Sequence, residues 1–535
     1  MSAITIGVMS DLRTIAAPAQ GEQNIVRATP SSLDSTTVAI FCGEPRYSAV
    51  PPFCPSDPVA EYPFGDALDR SQPNPAYHAV RGALRLLELD AAKFDAAGWN
   101  PLGGIVRPGD TVVLKPNFVR DFRESSPDHA DCVITHGAVI RAVLDYAFIA
   151  LEGRGRLIIA DAPQNDADFD AIRKIAGLDE IREFYRRGAG FDVEVYDLRP
   201  EAARKIDGVI VGHTTLPGDP AGYVRVNLGE HSAFCEINHL CHLLYGAEYD
   251  TAELRRHQHD DVHEYLISKT VLDADVVISL PKLKTHKKVG QTVNLKNLVG
   301  INGNKNWLPH HRQGTPAQGG DEFSQNGMKR RIERATMARF KRLFPLLGPL
   351  RPLLAGPIKA FGKRIFGDTN RDTIRSGNWH GNDTTWRMVL DLNRILLYAD
   401  ADGALYDRPV RRFFSVVDGI VAGEGNGPLD PTPKPAGVVL AGANPVAVDL
   451  ACARLMGFDW RKMPVLHRTF DPHRWPLATF ESTEVELRCN DSAYEGPIHE
   501  LDGVQMGFTP HFGWRGQVEL DANSADRKSD DPCAA

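Results

Sequence analysis

No CxxC pair occurs anywhere in this chain, although it holds eight cysteines: Cys42, Cys54, Cys132, Cys235, Cys241, Cys452, Cys489 and Cys533. Iron–sulfur and disulfide frameworks both need close, regular cysteine spacing. The pattern argues against either, and reduced thiols in a cytoplasmic protein are expected. Long hydrophobic runs are also missing. None approaches the roughly 18 apolar residues that a membrane-spanning helix requires. The first residues, MSAITIGVMSDLRTI, show no basic region followed by an apolar one, so no secretory signal is expected. An excess of positive charge is absent as well. Lys and Arg total 61 against 69 acids, a net charge of −8, and this balance argues against a nucleic-acid partner. The phosphate-binding string GxxxxGK[ST] is not found.

What is present is an ordinary globular composition, 42% hydrophobic and 24% charged over 535 residues, too long for one small core. Apolar runs at Thr37–Cys42, Asp110–Asn117, Arg156–Asp161, Asp275–Leu280, Phe413–Val417 and Gly437–Ala441 predict buried strands. Helical spacing marks Ala76–Leu89, Gly137–Ala150, Glu264–Leu272, Thr384–Ala399 and Pro445–Met456. Strands alternating with helices predict an α/β fold, a mostly parallel sheet with flanking helices. The expected layout is a weakly ordered arm (1–36) and two α/β lobes (about 37–200 and 266–470). Insertions fall at about 201–265 and 328–366. A short β-rich C-terminal part (471–520) and a disordered tail (521–535) complete it.

The most distinctive stretch follows the apolar Val276-Val277-Ile278. It reads SLPKLKTHKKVGQTVNLKNLVGINGNK, and no acid occurs between Asp275 and Asp321. Pro281 ends the strand because it donates to no ladder. Lys282, Lys284 and His286 then alternate, which puts them on one face of an extended chain. Asn294, Lys296, Asn297, Gly300 and Asn302 follow. In open α/β sheets, ligands bind beyond the carboxyl ends of the strands. A loop rich in Lys, Asn and Gly placed there suits an anion, through point charge, directed donors and close backbone approach.

Other strand ends repeat the pattern. Lys115-Pro116-Asn117 follows one strand and Asp161-Ala162-Pro163 another. Asp418-Gly419 follows a third, with Glu424 and Gly427 in the Gly-rich loop beyond it. Together they predict one polar rim, with Asp418 and Glu424 facing the lysines. Asn444 and Pro445 read as a helix start. Asp449, on an apolar helix face, is the odder residue, placed to orient a loop lysine. Within this rim, His286, Lys284, Asp418 and Glu424 are the catalytic expectations. Lys115, Asn117, Lys282, Asn294, Lys296, Asn297, Gly300, Asn302, Gly427 and Asp449 are the substrate-binding ones.

Metal ligation has weaker support. Cys235, His239, Cys241 and His242 cluster; His259 and His263 stand at i, i+4, one face if helical; His310 and His311 are adjacent. None gives a four-ligand zinc pattern. The cofactor stays unassigned, with a metal ion as an alternative. The 328–366 segment carries eleven Lys or Arg against one acid, Glu333, interleaved with Leu and Phe and broken by four prolines. It reads as a lid over the domain, or as a segment docking on an anionic membrane surface.

The strings ADVVISLPKLKTHKKVGQTVNLKNLVGI, VVLKPNFV and VVDGIVAGEGNGPLDPTPKPAGVVLAGANPVAVDLACARLMG resemble the domain-of-unknown-function 362 family, from about Thr37 to about Leu466. The resemblance implies little chemistry, since the family is largely unassigned. It does imply redox contexts, because relatives are fused to ferredoxin-type modules, which this chain's cysteines do not reproduce. Three functional readings follow. One is an enzyme binding a phosphate- or carboxylate-bearing small molecule. Another is a membrane-peripheral protein acting on a lipid-linked anion. The last is a metal- or redox-associated accessory protein.

Overall fold

The structure, a computed structural model, describes residues 32–48, 50–65, 67–126, 130–206, 209–246, 251–325, 373–501 and 505–520. The basic segment 328–366, the tail 521–535 and residues 1–31 of the arm lie outside the described residues.

Twelve strands form one mixed sheet. In chain order they are β1 (Thr37–Cys42), β2 (Thr111–Pro116), β3 (Arg156–Asp161), β4 (Val193–Asp197), β5 (Val276–Leu280), β6 (Lys282–His286), β7 (Gly290–Thr292), β8 (Arg412–Asn426), β9 (Asp430–Lys434), β10 (Val438–Gly442), β11 (Glu486–Cys489) and β12 (Gly496–Pro497). The run β4-β3-β2-β5-β8 is parallel throughout. β10 then pairs antiparallel with β8 and with β1, and β11 lies parallel to β1. The α/β class and its mostly parallel centre are as expected. The two expected lobes, however, share this sheet, because β2 and β5 are direct neighbours from Val112↔Val276 to Pro116↔Leu280. The C-terminal strands likewise extend the same sheet through β11.

Near-continuous Val, Ile and Leu runs form the central strands because both faces of a parallel sheet are covered. Side chains alternate between two cores. Val112, Leu114, Leu157, Ile159, Val276 and Ile278 pack with helices α1 (Pro75–Leu86) and α2 (Gly137–Leu151). Val113, Ile158 and Val277 pack on the other side with α4 (Thr385–Tyr398) and α5 (Pro445–Met456). One turn of helix between β7 and α4, Asn294–Asn297, is α3. The Asn444 side chain caps α5 by accepting from the N–H of Val446 (2.7 Å) and of Ala447 (3.0 Å), and Pro445 is its first residue. Gly457 closes α5 at φ 83°, a left-handed conformation that costs glycine little.

Glu264–Leu272 is not a helix over most of its length. Val262–Ser268 is a strand, followed by a single helical turn, Lys269–Leu272. His263, Tyr265 and Ile267 are fully buried in alternation with half-buried neighbours. That period of two overrides the helical spacing read from Leu, Ile and Val. His259 and His263 therefore lie on paired antiparallel strands rather than one helix face. His263 is buried between Gln258 Oε1 (3.2 Å) and Asn238 Oδ1 (2.9 Å). Among the described residues, no group of three or more His, Cys, Asp or Glu side chains is placed to hold a metal ion.

Candidate functional site

The parallel strands β2, β3 and β5 end side by side, and polar groups from their ends, from the chain after β5 and from the middle of β8 lie there. Lys115, near the end of β2, is wholly buried. Its ammonium lies 2.8 Å from Asp161 Oδ1 at the end of β3. It also donates to the Pro116 carbonyl (2.8 Å) and to Asn297 Oδ1 (3.1 Å). Burial pulls the Lys115 amine below its ordinary pKa, and Asp161 opposes the shift. Asn297, on α3, ties the loop to two strands: its Nδ2 donates to the Lys115 carbonyl (2.9 Å) and to Ser279 Oγ (3.1 Å). Asn117 Nδ2 reaches the same Asn297 Oδ1 at 3.3 Å.

Beyond β5 the chain continues through Pro281 as β6, which runs parallel to the middle of β8 with a register shift between Lys282 and Lys284. Lys282 forms a fully buried pair with Asp418, 2.7 Å apart. Tyr47 closes this pair, donating to Asp418 Oδ1 (2.6 Å) and accepting from Lys282 (2.8 Å), while the backbone N–H of His136 donates to Asp418 Oδ2 (2.9 Å). The His136 ring stacks flat on Tyr47, centroids 3.9 Å apart. Burial holds this imidazole down to about 4, so it is neutral near pH 7.

Lys284 is different. Its ammonium donates to Asn117 Oδ1 (2.8 Å) and to the Val133 carbonyl, and among the described residues no carboxylate contacts it. Burial drives its pKa well below the ordinary value, and Lys282 adds to the effect. His286 accepts at Nδ1 from the backbone N–H groups of Lys288 (3.1 Å) and Val289 (3.3 Å). The neutral ring therefore carries its proton on Nε2.

Lys296, on α3, is half-buried, and among the described residues it makes no hydrogen bond or ion pair. Burial pushes its amine down to about 8, with Lys115 contributing. Burial also dominates the lowered values at Lys284, His286, Lys288, Lys305 and His310, and repulsion from Lys296 adds to every one of these shifts. Lysine and histidine nitrogens thus cluster around Lys296, and mutual repulsion holds their charge down. Lys305 and Lys288 are both held at about 7, and they donate to backbone carbonyls: Lys305 to Asn302 (3.0 Å), Lys288 to His310 (3.2 Å).

Several expected site residues make framework contacts. Asp449 does not meet a lysine. Its carboxylate reaches from α5 to cap α3, accepting from the N–H of Asn294 (2.9 Å) and Leu295 (3.1 Å). Asn302 accepts from the Leu266 N–H at 2.9 Å and locks that strand to the loop. Glu424 turns away from the lysine loop, lying 3.4 Å from Lys434 and accepting from the Thr509 N–H at 2.9 Å. Asn294 accepts from Ser415 Oγ (2.6 Å), which fixes α3 on β8, while its buried Nδ2 has no partner. Gly427 packs where a Cβ would sit 1.9 Å from the Thr285 carbonyl, and Gly300 where one would sit 1.9 Å from Asp161 Oδ1.

Asp449 sets a pH dependence. Burial raises its carboxyl to about 7, so between roughly pH 4 and 7 the native state holds a proton that the unfolded chain has released. Stability then falls as pH rises across that window. Asp449→Asn is expected to flatten that slope in denaturation curves taken from about pH 4 to 7; an unchanged slope contradicts the assignment.

Tyr47, His136, Lys288 and Lys305 join the site without having been singled out from sequence. Tyr47 sits in a Pro-rich loop that carries no pattern, and His136 looks like a helix start. A groove of about 810 Å³ lined by Pro52, Phe64 and Phe184 holds none of these groups. A crevice of about 20 Å³ borders the loop, between Arg120, Lys287, Asn426 and His511.

Residues 208–454 match the family model described as a domain of unknown function, DUF362. The matched stretch takes in the loop from Lys282 to Asn302, Asp418 and Asp449, while Lys115, Asn117 and Asp161 come from the chain ahead of it. The rim is therefore completed by β2 and β3, outside the matched span. The chain is also 26% identical over 203 residues to a thylakoid-associated protein of Synechocystis sp., covering 37% of this chain and 42% of that protein. The chain thus aligns with less than half of that relative's length.

Proposed function

We propose that the rim binds a small phosphate- or carboxylate-bearing molecule and that the protein is an enzyme acting on it. The observation that carries this reading is Lys296, a half-buried amine without a partner among the described residues, with Lys115 as the cation that acts on it and further lysine and histidine nitrogens around it. Uncompensated buried charge is costly, and an anion in their midst offsets that cost. Lys115, Asn117, Lys282 and Asn297 form the wall. Lys284, whose burial pulls its pKa well down and so favours the neutral amine, serves as general base and then acid, with His286 Nε2–H as a hydrogen-bond donor to the substrate. Asp418 holds Lys282 in place.

Thermal unfolding with inorganic phosphate, sulfate and small dicarboxylates tests this. At least one anion is expected to raise the Tm of the intact chain, and Lys284→Ala combined with Lys296→Ala is expected to remove the rise. A rise that survives the double substitution sinks the reading.

A membrane-peripheral role is the second reading, favoured by the eleven basic residues of 328–366 and by the relative named for its association with thylakoids. Among the described residues no helix is long and apolar enough to cross a membrane. Co-sedimentation with anionic vesicles, lost on deletion of 328–366, is the expected result for this version.

A further inference from the structure

Seven described cysteines are free thiols, and two of them meet. Cys42 ends β1 and Cys489 ends β11, the strand that docks the C-terminal part on the main sheet. The parallel ladder pairs Ile40 with Cys489. Cys42, two residues beyond Ile40, therefore faces the same side, diagonally across from Cys489. The sulfurs lie 3.8 Å apart.

Two further features distinguish this from a chance approach. The Asn490 side chain clamps the Cys42 backbone, accepting from its N–H (2.7 Å) and donating to its carbonyl (2.8 Å). The N–H of Asp491 points at Cys489 Sγ from 3.4 Å. The two sulfurs are within S–H···S distance of each other, and the Asp491 N–H favours negative charge on Cys489. The direction of the titration agrees: Cys42 is raised, chiefly by its hydrogen bond to Cys489, and Cys489 is lowered through the same bond. Cys42 is half-buried and Cys489 is 5% exposed, so a small oxidant approaches the pair from the Cys42 side.

We propose that Cys42 and Cys489 form a redox-active dithiol that a hydroperoxide converts to a disulfide, bonding β11 to β1. The Cys489 thiolate attacks one peroxide oxygen and breaks the O–O bond, giving a sulfenic acid. The departing hydroxide leaves as water after taking a proton. The Cys42 sulfur then displaces the sulfenic oxygen, which leaves as water with the Cys42 proton. Two thiols and one hydrogen peroxide give one disulfide and two waters. The sulfurs close from 3.8 Å to about 2.05 Å, through side-chain rotation and a small strand shift. Thiolate character and access together select such pairs among otherwise inert cysteines.

The closed bond links residues far apart in the chain and restricts the unfolded state accordingly. A Tm rise of roughly 5 °C is expected.

The test uses the intact chain, treated with hydrogen peroxide, blocked with an alkylating agent and digested without reductant. A peptide cross-linked through Cys42 and Cys489 is expected, short of two hydrogens and released by dithiothreitol. The accompanying Tm rise should vanish in Cys42→Ser. Separate alkylation of both sulfurs after peroxide overturns the proposal. So does a sulfinic acid at either position without the cross-link, or a Tm rise of equal size in Cys42→Ser.

Discussion

Asp418→Ala is expected to cost about 3–5 kcal/mol of stability, the usual penalty for stripping one partner from a buried ion pair. The pair it breaks, Lys282 with Asp418, is fully inaccessible to solvent on both sides. The carboxylate also receives the Tyr47 hydroxyl and the His136 N–H, so alanine leaves the Lys282 charge without a counter-ion, and a hydroxyl and an amide without an acceptor. Each buried orphan of this kind costs about 1–3 kcal/mol. Combining Lys282→Met with Asp418→Leu removes the charge together with its partner. The double variant is expected to recover part of the loss but not all, since Tyr47 and His136 stay unsatisfied. Urea denaturation of the two single variants and the double variant measures this. Strict additivity in that cycle contradicts a direct pair.

Gly300→Ala is the second large effect. A methyl group there would lie 1.9 Å from Asp161 Oδ1 and 2.7 Å from Lys115 Nζ. Neither neighbour can move aside. Asp161 accepts the Phe118 N–H at 2.7 Å through its other oxygen, and the Gly300 carbonyl is itself held by the Ala162 N–H at 2.9 Å. The chain must either part the buried Lys115–Asp161 pair or shift the loop that carries Lys296. A loss of about 3 kcal/mol or more is expected, with anion binding falling in step. Gly104→Ala, at an exposed glycine with nothing within 4 Å, serves as the control and should stay within about 1 kcal/mol. Equal effects at the two positions would contradict a tight contact at Gly300.

The rim was legible in the sequence because each of its strands is an unbroken apolar run that stops at a polar residue. Lys115, Asp161 and Lys282 stand at such stops, Asp418 closes the first apolar run of β8 although the strand continues to Asn426, and parallel strands end on the same side of a sheet. The one-turn helix at Asn294–Asn297 was hidden, since four residues give no period. Asp449 stands out in the sequence for its apolar surroundings, but its donors are the backbone N–H groups of Asn294 and Leu295 rather than a lysine: sequence shows that a buried carboxylate needs donors, not which ones. Glu424 shares a strand with Asp418, but by then β8 pairs with β9, and Lys434 is its neighbour. Tyr47 reaches the site from a loop, and no periodicity records where a loop returns.

The central claim is that Lys296 is an anion ligand, and sulfate, whose charge is constant across neutral pH, probes it directly. Calorimetric titration at about pH 7 and about pH 9 compares the wild-type chain with Lys296→Met. The amine titrates at about 8, so wild-type affinity is expected to fall as pH rises between the two. The substitution should weaken binding at about pH 7 by roughly 10-fold or more, in line with a lost charged hydrogen bond, and should flatten the pH dependence. Sulfate binding that is equally tight in Lys296→Met, with the same pH dependence, contradicts the claim.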